Sequence, residues 1–425
     1  MNKLYIEKLV AGGDGLGRMD GRPVFVPLSA PGDLITPGAL RRRRGVSFAT
    51  IDDIVTASPL RRDPPCPYFA RCGGCGWMHM SYRAQVRWKG EILEETLRRI
   101  GGLEEVSGVD VVPVTDEFSW RHRIRLHYRK GKLGFFRRGT HDPVDWSRCL
   151  IIPEQLNLAV GVLRAVIRNV GKFIRIETVE LAVSPVNRAV SVMWQTVKGD
   201  RSFDSGDLFS ETAAAFLKAG LECSCQGISY GSPPRIKDLA GTPLVIPSGT
   251  CTTLASPGTF FQVNPEQNEN IVSRVLSVLG NREISSMLDL FCGNGNFSIP
   301  AARQGVRVTG VESFPGAVRD ANTAAEREDV EFVNADVESF LAGATDLSAD
   351  AVLVDPPRTG LTMAVRTGLL RLSPGTIVYV SCDPATLARD LKSFIKSGYD
   401  LASLEAFDMF PNSAHIESLV VLERK

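Results

Sequence analysis

No stretch of about 18 uninterrupted apolar residues occurs in this chain, which excludes a hydrophobic membrane-spanning helix as a reading of the sequence. The opening residues, MNKLYIEKLVAGGDG, lack the apolar core of a signal peptide, so the expected location is the cytoplasm, with no membrane partner. There is almost no net charge, +1 over the whole chain, and so no bulk field to recruit a polyanion. Internal repeats and low-complexity tracts are absent, which excludes a solenoid and a linker-like protein. One further absence bears on chemistry. The glycine-rich run at 293–298 has Ser298 in its sixth position, so the three-glycine fingerprint of a dinucleotide site is incomplete.

What is present is an ordinary globular composition, 44% hydrophobic and 23% charged, in 425 residues, enough for two or three domains with their own cores. The small net charge conceals an asymmetry. Residues 1–150 hold 25 Lys+Arg against 17 Asp+Glu and the remainder 24 against 31, so a front of +8 balances a rest of −7. A basic front suits a polyanion-binding module, although a solvated surface would look the same. Residues 1–57 contain short β-rich runs (YIEKLV, RPVFVPLS, SFATIDDIV) punctuated by AGGDGLG, DG and APGD, the pattern of a small OB-like β-barrel. Residues 58–262 begin with the irregular SPLRRDPPCPYFARCGGCGW. They continue through the helical SYRAQVRWKGEILEETLRRIGG and then mix strands with helices, as an α+β domain does. From 263 to 425 the runs SMLDLF, RVTGVE, VEFVNAD, DAVLVD and TIVYVS alternate with helical stretches, which predicts a Rossmann-like, mainly parallel doubly wound sheet.

Ligands of such sheets sit beyond the carboxyl ends of the strands. The first strand there ends in Asp289-Leu-Phe-Cys-Gly-Asn-Gly, where Gly293 and Gly295 let the backbone turn tightly beside a ligand. Glu312 ends the second strand, placed to accept hydrogen bonds from ribose hydroxyls, and Asp336 ends the third, placed to receive an adenine amino group. A glycine-rich turn is often only a turn, but two strand-end acids at these intervals favour a nucleoside. A sulfonium nucleoside, having no pyrophosphate, does not need the missing third glycine.

Asp355-Pro-Pro-Arg358 follows the fourth strand as a stiff loop, and Cys382 follows the fifth. Glu417 lies beside the last apolar run, two residues after His415. A buried structural cysteine, an exposed strand glutamate and a hydrogen-bonded histidine are the bland alternatives. Together these residues suit one chemistry. C5 of uracil is a poor nucleophile until a thiolate adds at C6. It can then attack a methyl sulfonium, after which a base must remove the C5 proton so that sulfur can leave. Cys382 would be the thiolate, Glu417 the base, and Asp355 would orient the uracil edge.

Nine cysteines in a chain of this expected location point to metal, redox or nucleophilic roles rather than disulfides. Cys66, Cys72, Cys75 and Cys149 form a set of four thiols that fits either a [4Fe–4S] cluster or zinc, and spacing does not choose between them. Arg41–Arg44, Arg61, Arg62, Arg121, Arg123, Arg125, Arg137 and Arg138 are candidate phosphate contacts. Phe135, Phe136, Phe260 and Phe261 are candidate base-stacking rings, of which at least two are expected in the core.

Several long motifs in order, PPCPYFARCGGCGWMHMSY, GFFRRGTHDPVDWSRC, FFQVN, DLFCGNGNFS, DPPRTGL, VYVSCDPATLARDL and DMFPNSAHIES, give the chain a resemblance to a known family. It resembles the RNA uracil-5-methyltransferases, specifically their iron–sulfur-containing 23S ribosomal RNA branch, over nearly its whole length. The resemblance implies a TRAM domain over 1–57, a central domain with the cluster over 58–262 and a catalytic domain over 263–425 that uses S-adenosyl-L-methionine. It places Cys382 as nucleophile, Glu417 as base, and Gln262, Phe291, Gly293, Asn296, Glu312, Asp336 and Asp355 at cofactor or adjoining substrate positions. It selects [4Fe–4S] for Cys66, Cys72, Cys75 and Cys149. It implies a partner RNA, 23S rRNA, with a single-stranded or flipped-out uridine, bound by a monomer. Three positions depart from the family pattern. Asp383 replaces an asparagine beside the nucleophile, where an anion disfavours a thiolate. His122 stands where asparagine is usual, and Asn412-Ser413 where Gln-Thr is usual. The alternatives are the same reaction on the T-loop uridine of tRNA, an RNA cytosine-5-methyltransferase, and a noncatalytic iron–sulfur RNA-binding protein. In the cytosine enzymes a cysteine follows the fourth-motif proline; here it is Arg358.

Overall fold

The computed structural model describes all residues except 1–2, 44, 171–174, 197–206, 230–234, 240, 326–327 and 344–346. Among the described residues no helix is long and apolar enough to cross a membrane.

The N-terminal part is a curled, mostly antiparallel seven-stranded sheet. Its strands run in the order Arg41–Arg43, Val46–Phe48, Arg22–Val26, Gly15–Met19, Leu4–Leu9, Leu34–Pro37, Ile51–Thr56. Alternation drives the curl. Leu4, Ile6, Val24, Val26 and Ile35 all point to one side and close a small core, giving an OB-like half-barrel. The segment AGGDGLG, expected only as punctuation, contributes a strand at Gly15–Met19. Gly17 is required there, because a Cβ would collide with Tyr5 O of the neighbouring strand. SFATIDDIV, expected as one strand, is split in two.

The irregular cysteine-rich segment forms no regular element. It is followed by the helix Tyr82–Thr96, whose Ala84, Trp88, Ile92 and Leu93 form one apolar stripe. A six-stranded sheet runs in the order Lys132–Gly134, Arg123–Arg129, Ile176–Val183, Val190–Thr196, Cys223–Ser229, Arg235–Leu239. The helices Glu154–Val170 and Asp207–Lys218 pack on it around Trp194, Leu181 and Phe216. A hairpin, Leu244–Ser248 with Cys251–Ala255, leads into the last part.

The C-terminal sheet has eight strands: Val330–Asn334, Arg307–Glu312, Ser286–Leu290, Ala351–Val354, Thr376–Ser381, Glu417–Arg424, Tyr399–Phe407 and Val111–Val112. The first five are parallel, and Glu417–Arg424 inserts antiparallel. Helices cover both faces, so the central strands Ser286–Leu290, Ala351–Val354 and Thr376–Ser381 are buried along almost their whole length rather than alternating, while the edge strand Val330–Asn334 is partly exposed. Sequence order does not reveal that the helix Tyr82–Thr96 and the two-residue strand Val111–Val112 belong to this sheet's layers. The helix stripe packs with Leu391, Tyr379 and Leu422, and Val111 and Val112 pair with Ala406 and Phe407.

Candidate active site

The central strand Ser286–Leu290 lies between Arg307–Glu312 and Ala351–Val354, so the order reverses there and leaves a crevice beyond its carboxyl end. The turn that follows has three left-handed residues, Phe291 (φ 64°), Gly293 (φ 56°) and Gly295 (φ 83°). At Gly293 a Cβ would point into open space, whereas at Gly295 it would strike Ile299 and Phe332. One glycine thus serves the turn and the other close packing. Glu312 reaches across to the turn, its Oε2 accepting from Gly293 N at 3.2 Å, while Oε1 accepts from Phe314 N at 2.7 Å. Asn296 exchanges two side-chain hydrogen bonds with Asn268, both 2.9 Å. Asp336 is exposed; its Oδ1 accepts from Ser339 N at 3.1 Å, capping the short helix Val337–Gly343. The parallel neighbours Glu312 and Asn334 are paired, so Glu312 and Asp336 stand at the same edge of the sheet.

The fourth and fifth strands deliver Asp355 and Cys382 to that edge. Gln262 Nε2 donates to Asp355 Oδ2 at 3.3 Å, which brings two sequence-predicted residues into one contact. Ser381 pairs with Ser418 in the antiparallel ladder. The next position in that register sets Cys382 opposite Glu417, 35 residues apart in sequence but adjacent in space. Burial pushes the Asp355 and Glu417 carboxyls up, and for Glu417 the Asp355 charge adds to it. The Cys382 thiol is pushed up to about 12, first by burial and then by the Glu417 and Asp355 carboxylates, against the Arg358 guanidinium. Arg358 is therefore the nearby cation that favours a thiolate. Its signal in the sequence was only its place after Pro357.

The departures from the family pattern acquire reasons. Asp383 N-caps the helix Pro384–Lys396, its Oδ1 accepting from Ala385 N at 3.0 Å and Thr386 N at 2.9 Å. Either Asp or Asn can cap in this way, and Asp383 is the weakest of the influences that raise the Cys382 thiol. Asn412 takes a left-handed backbone (φ 64°) and spends its side chain on Arg62, Gln85 and Glu117 O. His122 Nδ1 sits 3.1 Å from Trp120 O, and its backbone N donates to Val263 O at 2.8 Å, beside Gln262. His415 lies 3.5 Å from Arg358, and burial and that cation push it down to about 4. The lowered value favours the neutral imidazole, which is a poor general acid near pH 7.

One large cleft collects groups from all three parts of the chain. Gly12 and Gly13 come from the barrel, Gly73–Trp77 from the cysteine loop, Arg121 and Phe135–Thr140 from the central sheet, and Arg358, Cys382 and His415 from the last domain. Of the four candidate stacking rings, Phe135 and Phe261 are buried. Phe136 stacks on His127 at 3.6 Å, and Phe260 is 52% exposed under the Arg123 guanidinium. Several candidate phosphate contacts are already engaged: Arg61 with Asp33, Arg62 with Glu117, Arg123 and Arg125 with Glu180, and Arg138 with Asp14. Arg41–Arg43 and Arg137 are exposed, and Arg44 lies outside the described residues.

Cys66, Cys72, Cys75 and Cys149 line a single small cavity walled by Phe69, Phe135, Trp146 and Ile151. All four are free thiols. Among the described residues no three His, Cys, Asp or Glu side chains converge closely enough to hold one metal ion. Burial, and each other's charge, push the Cys72, Cys75 and Cys149 thiols up, with the Arg121 guanidinium opposing.

A Rossmann-like sheet with a glycine turn and an acid at the next strand end, here lacking the third glycine of a dinucleotide site, is an arrangement that suits an S-adenosyl-L-methionine-dependent methyltransferase. Comparison with known proteins is specific. A family model described as tRNA (uracil-5-)-methyltransferase matches residues 253–425. A 23S rRNA (uracil(1939)-C(5))-methyltransferase RlmD of Pseudomonas putida is 33% identical, over 99% of this chain and 93% of its own. A protein of Aquifex aeolicus described as an uncharacterized RNA methyltransferase is 32% identical over 100% of this chain and 98% of its own. The crystal structure of Pyrococcus abyssi tRNA (uracil-54, C5)-methyltransferase in complex with S-adenosyl-L-homocysteine matches with a TM-score of 0.77 and 28% identity, covering 99% of each chain. The chain belongs to the RNA uracil-5-methyltransferase family: it is an S-adenosyl-L-methionine-dependent enzyme acting on C5 of uracil in RNA.

Proposed function

We propose that this enzyme methylates a uridine of 23S ribosomal RNA through a covalent bond between Cys382 and C6 of the base, acting as a monomer in the cytoplasm. The observation that carries the mechanism is the juxtaposition of Cys382 and Glu417 at facing ends of adjacent antiparallel strands, with Asp355 beside them. S-adenosyl-L-methionine supplies an electrophilic methyl group on a sulfonium. In this reading Glu312 holds its ribose, Asp336 its adenine amino group, and Gly293, Phe291 and Asn296 its approach. Gln262 and Asp355 stand between cofactor and substrate. Cys382 gives its proton to solvent and adds to C6, and the electron pair displaced to C5 takes the methyl group as its bond to the sulfonium breaks, leaving S-adenosyl-L-homocysteine. Glu417 then removes the C5 proton, and the re-formed C5–C6 double bond expels Cys382 as thiolate. A stacked uracil hides C5 and C6, so the target is a looped or flipped-out uridine, received by the cleft shared among barrel, cysteine loop and catalytic domain.

Residues 1–57 would serve as the RNA-binding TRAM domain, 58–262 as the central domain and 263–425 as the catalytic one. Cys66, Cys72, Cys75 and Cys149 ring one small cavity, and the family resemblance selects a [4Fe–4S] cluster over zinc as the group they would hold. A cube of four irons binds one thiolate at each corner. Four protein ligands leave no iron open to substrate, so its role would be to pin the loop that borders the cleft.

The second reading is the same reaction on a transfer RNA. The Pyrococcus abyssi tRNA enzyme shares the whole architecture, N-terminal sheet included, so the barrel does not separate the two substrates. Ribosomal RNA is favoured by the higher identity to the Pseudomonas putida protein. Incubating the protein with methyl-labelled cofactor and either 23S rRNA or tRNA, then identifying the nucleoside, decides. 5-Methyluridine in 23S rRNA is expected; 5-methyluridine in tRNA alone establishes the second reading, and 5-methylcytidine or no product rejects both.

A further inference from the structure

Gln262 and Phe260 ride on the loop 256–264, which has no regular secondary structure and must be fixed by side chains. Its far end is tied twice: His122 N donates to Val263 O at 2.8 Å, and Asn264 Nδ2 donates to Met409 O at 3.3 Å. Its near end is tied by one residue. Asp320, in the helix Pro315–Ala324, is 7% exposed and turned into the loop. Its Oδ2 accepts from Ser256 N at 2.8 Å and from Thr259 Oγ1 at 2.6 Å, and its Oδ1 accepts from Ser256 Oγ at 2.7 Å. Thr259 N also donates to Ser256 O at 3.0 Å, so the acid grips a preformed turn. The helix that carries Asp320 begins three residues after Glu312. A single carboxylate therefore joins the strand end assigned to the ribose to the loop that places Gln262 on Asp355.

We infer that Asp320 is a positioning residue for methyl transfer: it sets the loop 256–262 against the cofactor strand and so keeps Gln262 donating to Asp355. This inference rests on the reading of Gln262 and Asp355 as groups between cofactor and substrate. A buried acid serving only packing would be replaceable at the cost of stability alone. A positioning acid has a further signature, because Gln262 holds the Asp355 carboxyl down against the burial that raises it. Release of the loop removes that hydrogen bond, and the acid limb of the pH–rate profile moves upward.

Three variants of the full-length enzyme test this: Asp320→Asn, the conservative Asp320→Glu, and the milder Ser256→Ala, which deletes one of the three contacts. Expected for Asp320→Asn is a loss of kcat/KM for RNA between tenfold and a hundredfold, on the order seen when reacting groups are misplaced by about 1 Å. S-adenosyl-L-methionine affinity, by calorimetry, should change less than about threefold, a small fraction of that loss. The acid limb should shift to higher pH, and amide hydrogen exchange should speed up in 256–264 alone. Ser256→Ala should lie between wild type and Asp320→Asn, and Asp320→Glu should recover part of the rate. Unchanged exchange in the loop overturns the proposal whatever the substrate proves to be. So does a rate loss that only follows a fall in Tm and leaves the pH profile in place. If wild-type enzyme makes no 5-methyluridine while the loop loosens as expected, the functional reading fails and the loop-fixing role stands.

Discussion

At the scale of the residue, the proposed chemistry rests on two acids and a thiol. Burial raises the Cys382 thiol to about 12, which favours its protonated form at neutral pH. Removing the Glu417 charge lowers that barrier. Glu417→Gln should therefore react faster at Cys382 with iodoacetamide near pH 9, by several-fold. With RNA and cofactor it should accumulate a denaturation-resistant protein–RNA complex, because C5 keeps its proton and sulfur cannot leave. Cys382→Ala should lose all detectable turnover and retain cofactor binding by calorimetry. Asp289, fully buried, accepts from Ser298 Oγ at 2.5 Å but has no partner for Oδ1 among the described residues. Burial pushes it up to about 7, helped by the Asp355 and Glu312 charges. Its folded pKa exceeds the unfolded one, so its contribution is fully present below about pH 4 and is lost as pH rises through about 7. Asp289→Asn keeps the Ser298 bond and sheds the buried charge. Thermal unfolding should show it more stable than wild type at pH 8, on the order of 1–3 kcal/mol, and little changed below about pH 4.

Among elements, the helix Tyr82–Thr96 decides most. Lys89, from its buried stripe, pairs with Asp408 where neither side chain meets solvent, and donates to Phe410 O at 3.0 Å. The pair anchors the segment that carries Phe410, Ser413 and His415 into the cleft. Burial pushes Lys89 down and Asp408 holds it up. Lys89→Met strands a buried carboxylate and should cost about 3–5 kcal/mol in urea unfolding, whereas Lys89→Met with Asp408→Leu should recover most of it. This element was legible as a helix because its apolar residues recur at helical spacing and Gly102 stops it in a left-handed conformation. Its partner sheet was not legible, because an apolar stripe records that a face is buried and not what buries it. The five parallel strands of the last domain were legible for the opposite reason: the two central ones, Ala351–Val354 and Thr376–Ser381, are buried from end to end, and the runs lead into Glu312, Asp336, Asp355 and Cys382. Splitting SFATIDDIV into two strands escaped the pattern, since the barrel's bend is a property of closure.

At the scale of the molecule, the cysteine loop is the junction. Trp77 Nε1 donates to Gly13 O of the barrel at 2.9 Å, Gly76 N and Trp77 N both donate to Asn412 O at 3.0 Å, and Gly73 N donates to Phe136 O at 2.8 Å. Barrel, central sheet and catalytic domain thus meet on one short stretch between Cys72 and Trp77. If a [4Fe–4S] cluster holds that stretch, Cys149→Ala should lower iron content and soluble yield together, as read by iron assay and absorbance near 400 nm. Full iron loading with unchanged stability would remove Cys149 from the ligand set.

The sequence by itself determined the types of element, the strand-end position of each reactive group and the chemistry those groups suit. These follow from local periodicity and from side-chain reactivity, which neighbours in the chain suffice to define. Only the tertiary structure decided that Glu417 faces Cys382, that Arg61, Arg62, Arg123, Arg125 and Arg138 are held in ion pairs, that Asp383 caps a helix, and that Asp320 fastens the loop bearing Gln262. Each of these is a contact between segments far apart in sequence, fixed by how sheets and helices pack.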